Sequence, residues 1–125
     1  MLATIEDSVV GYGSLVLDSA YPPFRAKGIP EINNLVVAAE FRRHGIGSAL
    51  IDALEAEARR AGRVEIGIGF GLYPDYGPAH RLYVKLGFVP DGLGTTYLHE
   101  PVRGGATLPI DDDLVLWLTR TLKEN

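Results

Sequence analysis

From Glu31 to Ala58 the chain passes through a strand, a glycine-bearing turn and an amphipathic helix with no spacer, and no other run constrains the fold as strongly. Glu31 to Val37 has the alternating, β-branched-rich character of a strand, while Ile46, Ala49, Leu50, Ala53, Leu54 and Ala58 recur at the spacing of one helical face. Between them stand Phe41-Arg42-Arg43-His44-Gly45-Ile46-Gly47-Ser48. Gly45 and Gly47 keep side chains away from the start of the helix. There the backbone N–H groups have no partners within the helix and the helix dipole adds positive potential, so main chain alone can hold a pyrophosphate.

A chain of 125 residues is expected to form a single domain over 1–125, with one sizeable core. Its hydrophobic fraction of 46% and charged fraction of 22% are those of a soluble globular protein. No apolar run approaches the ~20 residues of a membrane span, and the start lacks a basic-then-apolar signal pattern, so a cytoplasmic location without a membrane partner is expected. The absence of cysteine excludes disulfides, thiolate metal sites and a covalent cysteine mechanism. A net charge of −4 argues against a broad nucleic-acid surface, although Arg42, Arg43 and His44 make a local basic spot.

Around the central run, Leu2 to Glu6 and Val9 to Leu17 read as a hairpin turning at Asp7-Ser8. Asp18 to Pro30 reads as a loop, because Pro22 and Pro23 cannot donate to a sheet ladder. The helix from Gly45 stops at Gly62, with Arg59 and Arg60 complementing its negative end. Arg63 to Phe70 alternates Val64, Ile66, Ile68 and Phe70 with Glu65, Gly67 and Gly69, a strand with one bulky and one bare face, and a bare face admits a close approach. Gly77-Pro78 opens a second helix, whose Ala79, Leu82, Tyr83 and Leu86 share a face and which stops at Gly87. Thr95 to His99 and Leu114 to Thr121 read as strands joined by a polar loop.

There is no Gly-Lys-Ser/Thr of a P-loop and no third glycine of a dinucleotide fingerprint. What stands here is Arg42-x-x-Gly45-x-Gly47, followed downstream by Ala79-x-x-Leu82-Tyr83-x-x-Leu86-Gly87-Phe88. In that order the two motifs resemble the GNAT superfamily of N-acetyltransferases over nearly the whole chain. The resemblance implies an α/β (α+β) fold: a mixed, mostly antiparallel sheet with a V-shaped splay between two parallel strands, flanked by helices. It implies acetyl-CoA as cosubstrate, with Leu35, Val36 and Val37 bordering the pantetheine and Arg42, Arg43, His44, Gly45, Ile46, Gly47 and Ser48 holding the pyrophosphate. The bare face of Gly67 and Gly69 fits the splayed wall. The same resemblance makes Glu31 a candidate general base, with a solvated strand-end glutamate as the alternative. It makes the Leu35 N–H the donor to the thioester carbonyl and Tyr83 the acid facing the sulfur. An unperturbed phenol, with pKa near ~10, matches a thiolate leaving group better than an alkoxide.

The chain departs from the family pattern in beginning at the hairpin, without the usual first strand and two helices. A late start, an open acceptor side, or closure by a second copy in a homodimer each account for this. Tyr76 replaces the asparagine often found three residues before Ala79. Tyr21-Pro22-Pro23-Phe24-Arg25 and Leu72-Tyr73-Pro74-Asp75-Tyr76 are either acceptor contacts or covers for the sheet. His44, His80 and His99 lack metal-ligand spacing, and Asp111-Asp112-Asp113 reads as a solvated turn, so no metal is expected. The implied activity is direct transfer of acetyl from acetyl-CoA to a primary amine of a small molecule or protein. The alternatives are a non-catalytic CoA-binding sensor or assembly module and an unrelated nucleotide-phosphate binder.

Overall fold

The structure, a computed structural model, describes residues 1–42 and 45–122. The hairpin is formed by β1 (Leu2–Ile5) and β2 (Ser8–Val16), and it turns at Glu6-Asp7, one residue earlier than the sequence suggested. Both turn residues are left-handed, with φ of 49 and 67°, the geometry that matches the twist of paired strands. The segment read as a loop over 18–30 instead contains a helix, α1 (Pro22–Lys27). Pro22 and Pro23 do bar a strand, but the first helical turn has no use for their missing N–H groups, and Gly28 ends the helix at φ 68°.

β3 (Glu31–Val37) leads through a short 3-10 turn at Ala39–Phe41 to α2 (Ile46–Arg60) and then β4 (Glu65–Gly71). A second 3-10 turn, Pro74–Tyr76, precedes α3 (Gly77–Lys85). β5 (Val89–Tyr97) starts directly after α3 rather than at Thr95. Its strand character is hidden because the ladder skips from Pro90 to Thr95, with Gly92 and Gly94 at φ 84 and 78°. His99, expected in a strand, lies with Leu98 in a left-handed turn leading to β6 (Glu100–Pro101), and β7 (Leu114–Thr121) completes the set.

Among the described residues these strands form one sheet in the order β1-β2-β3-β4-β7-β5-β6, with β3–β4 the parallel pair and its other pairings antiparallel. One face carries α2 and α3 over a core that includes Ile32, Ile51, Leu54, Ile66, Ile68, Phe70, Tyr83, Phe88 and Leu118. The other face carries α1 over Tyr21, Phe24, Ile29 and Trp117. The bare face of β4 belongs to this second cluster. A Cβ on Gly67 would stand 2.1 Å from the Phe24 ring, and one on Gly69 would stand 2.8 Å from Trp117. The close approach expected there is made by the protein's own aromatic side chains.

Candidate active site

β3 and β4 pair at Glu31↔Gly67 and Ile32↔Ile68, closed off below by the Gly67 N–H donating to the Pro30 carbonyl at 2.9 Å. Beyond Ile32 the two strands share no register, and a slot opens between them toward their C-terminal ends. At its rim β3 is bulged. Tyr12 pairs with Val36 and Ser14 with Asn33, so two steps along β2 answer three along β3, and Asn34 takes the strain at φ 54°. Asn34 and Leu35 are therefore outside the ladders on both sides. The extra residue also changes the strand's phase: Ile32 faces α2 before the bulge, and Leu35 packs on that same side after it. The Asn33-Asn34 pair in a strand otherwise apolar after Glu31 was the available signal for this bulge, and periodicity alone passed over it.

The mouth of the slot, at the Val37 end of β3, lies beside the start of α2, where a Cβ on Gly47 would stand 3.9 Å from Val37 Cγ2. Gly45 is its left-handed N-cap at φ 78°, no side chain caps the helix, and Ile46, Gly47 and Ser48 form its first turn. Gly47 also seats α3, since a Cβ there would stand 3.0 Å from Leu82. Arg42 is exposed, its Nε donating to the Val37 carbonyl at 3.4 Å. Arg43 and His44 lie outside the described residues. Leu35 and Val37 are half-buried, whereas Val36 is exposed and paired with exposed Tyr12.

Glu31 and Tyr83 fall on opposite faces. Tyr83 is 5% exposed, with its ring 6.2 Å from Phe70 and 6.0 Å from Phe88, and burial alone pushes its hydroxyl pKa up to about 12. Glu31 pairs with Gly67 and so shares the α1 face. It is half-buried, and its Oε1 accepts a 2.6 Å hydrogen bond from the hydroxyl of wholly buried Ser19. Burial raises the Glu31 pKa above the ordinary carboxylate value, outweighing the Ser19 bond and the His99 charge, which both act downward. Neither Ser19 nor His99 stood out in the sequence, because each reaches Glu31 only through tertiary folding.

The two aromatic segments differ in role. Tyr21 and Phe24, 2% and 1% exposed, are covers for the sheet and not acceptor contacts. Tyr21 stacks on Trp117 at 4.1 Å and donates its hydroxyl to Asp91, and Trp117 donates Nε1–H to Thr96 at 2.9 Å. Phe70, Leu72, Tyr73, Tyr76 and His80, by contrast, line an open cavity of about 240 Å³. Tyr73 and Tyr76 both donate to Asp112 and hold its carboxyl below the usual range, while Tyr97 donates to Asp111 at 2.9 Å. The aspartate run is thus a turn tied down by three tyrosines rather than a merely solvated one. Among the described residues no group of three or more His, Cys, Asp or Glu is placed to hold a metal, and no helix is long and apolar enough to cross a membrane.

The family model described as Acetyltransferase (GNAT) family matches residues 1–88. No curated protein matches the chain. Among solved structures, Ard1 from Thermoplasma volcanium is 24% identical with a TM-score of 0.70, over 98% of this chain and 70% of that one. A GNAT family acetyltransferase from Elizabethkingia anophelis with acetyl-CoA bound is 23% identical with a TM-score of 0.68, over 97% and 74%. An aminoglycoside 6'-N-acetyltransferase complexed with coenzyme A is 18% identical with a TM-score of 0.67, over 99% and 72%. At these identities the likeness is one of fold, and it leaves about a quarter to a third of each relative without a counterpart.

Proposed function

This chain belongs to the GNAT acetyltransferase family, and on that premise we propose that it is a cytoplasmic N-acetyltransferase moving acetyl from acetyl-CoA to a primary amine by direct attack in a ternary complex. The observation that carries this is the slot: β3 and β4 part after Ile32, their bulged rim is at Asn34-Leu35, and an uncapped helix start lies at the mouth. The first turn of α2, with Arg42, Arg43 and His44, would take the pyrophosphate, and Leu35, Val36 and Val37 would border the pantetheine.

The acetyl end would then lie toward the closed end of the slot, with Glu31 on the α1 side of the sheet and Tyr83 on the other. Glu31 takes a proton from the acceptor nitrogen, whose lone pair attacks the acetyl carbon. The Leu35 N–H donates to the carbonyl oxygen as charge develops on it. The C–S bond breaks with its electron pair going to sulfur, and Tyr83 donates toward that sulfur. The cavity beside Tyr73 and Tyr76 supports an acceptor entrance there, for a small-molecule or protein amine.

Calorimetry with acetyl-CoA, CoA and ATP, followed by thiol release against a panel of alkylamines, aminoglycosides and lysine peptides, tests this. Acetyl-CoA binding with turnover of one acceptor class is expected; ATP binding without CoA binding would overturn it. The deep burial of Tyr83 favours one second reading, a CoA-binding module that does not turn over, which would bind acetyl-CoA and release no thiol with any amine. A homodimer that closes the acceptor side would appear as twice the chain mass in light scattering.

A further inference from the structure

Building on Glu31 as the base, we propose that Ser19 is a positioning residue for the reaction: its hydroxyl fixes the carboxylate through Oε1 and leaves Oε2 to take the acceptor's proton. Ser19 lies in the segment joining β2 to α1 and is 0% exposed. Its oxygen already accepts the Tyr21 N–H at 3.0 Å, so its one proton is spent on Glu31. The 2.6 Å length is that of a charge-assisted O–H···O⁻ bond.

Ser19 is itself held in place. Tyr21, two residues on, is stacked on Trp117 and bonded to Asp91, so the serine hydroxyl is tied to the aromatic cluster of the α1 face. That face brings Phe24 from α1, Trp117 from β7, Tyr21 with Asp91 from β5, and His99 from the turn before β6. The charge interaction with His99 favours ionised Glu31, acting together with Ser19 and against burial. A glutamate serving only as a solvated strand end has no need of a wholly buried donor fixed in this way.

The test is a ¹³C NMR titration of the Glu31 carboxyl carbon in wild type, Ser19→Ala and Ser19→Cys, paired with pH–rate profiles for the most active amine of the panel. Loss of the hydroxyl should raise the Glu31 midpoint by about one pH unit and move the acid limb of kcat/KM with it, activity recovering at high pH. Ser19→Cys, a weaker donor of similar shape, should fall between and guards against a folding defect in the alanine variant. An unmoved midpoint, or an equal loss of kcat/KM at every pH, would overturn the role of Ser19 alone. Wild-type turnover in Glu31→Gln would instead overturn the assignment of Glu31, and the proposal for Ser19 with it.

Discussion

Phe24 occupies the space that any side chain on Gly67 would need: a Cβ there would meet the ring Cε2 at 2.1 Å. Phe24 is 1% exposed and stacked edge-on to Tyr21 and Trp117, so the ring has nowhere to move. Gly67→Ala should therefore destabilise at the upper end of the about 1–3 kcal/mol typical of overpacking, and Phe24→Ala by about 3–5 kcal/mol. Denaturant unfolding of both singles and the double should show the glycine substitution costing much less once the ring is gone.

Glu31→Gln should abolish most turnover while leaving the fold equally or more stable at neutral pH. The folded-state pKa of Glu31 is raised, so the protonated form is favoured by folding, and that contribution is lost as pH rises through the raised value. Above it the wild type bears the cost of a half-buried charge that glutamine lacks. Melting temperatures should therefore favour the variant at pH 7, and the difference should vanish below the ordinary glutamate pKa.

Tyr83→Phe should lower kcat by roughly 10²-fold with acetyl-CoA affinity nearly unchanged. With its pKa near 12, the hydroxyl holds its proton well above a thiol's ~8.5, so in the proposed role it would donate a hydrogen bond to the departing sulfur more than act as a full acid. No basic limb from Tyr83 should then appear in the kcat profile through pH 10. Steady-state kinetics beside calorimetric Kd values would separate this from a packing defect, which would weaken both.

Arg42→Ala should weaken acetyl-CoA binding about tenfold at low ionic strength, and the deficit should shrink as salt is added, because the side chain is exposed. Calorimetric titrations at two salt concentrations check this. A deficit that ignores salt would point to loss of the Arg42–Val37 contact, and so to a misplaced turn, rather than to lost charge.

β3, α2, α3 and β7 were legible because each is written in local signals: alternation in Glu31–Val37, a recurring face in Ile46–Arg60, proline at the start and glycine after the end of Gly77–Lys85, and a run of strand formers in Leu114–Thr121. α1 was not, since prolines that forbid a strand are equally at home in a first helical turn. Nor was the occupant of the glycine face: a missing side chain announces a close neighbour without saying which. At the site, the glycine-bearing turn that we propose holds the pyrophosphate was visible as a run of adjacent residues. The Ser19–Glu31–His99 grouping was not, because it joins positions far apart in sequence that only the sheet brings together.

Glu31 and Tyr83 sit on opposite sides of a sheet whose middle pair of strands separates. On the α2 side much of the proposed donor cradle is backbone, and no ordinary substitution can rewrite it. On the α1 side the frame of Glu31 is loop and turn side chains, from Ser19 to Tyr21 and again at His99. On the proposed reading, the side chains that frame Glu31 can be exchanged without disturbing a cradle built from main chain on the other side of the partition.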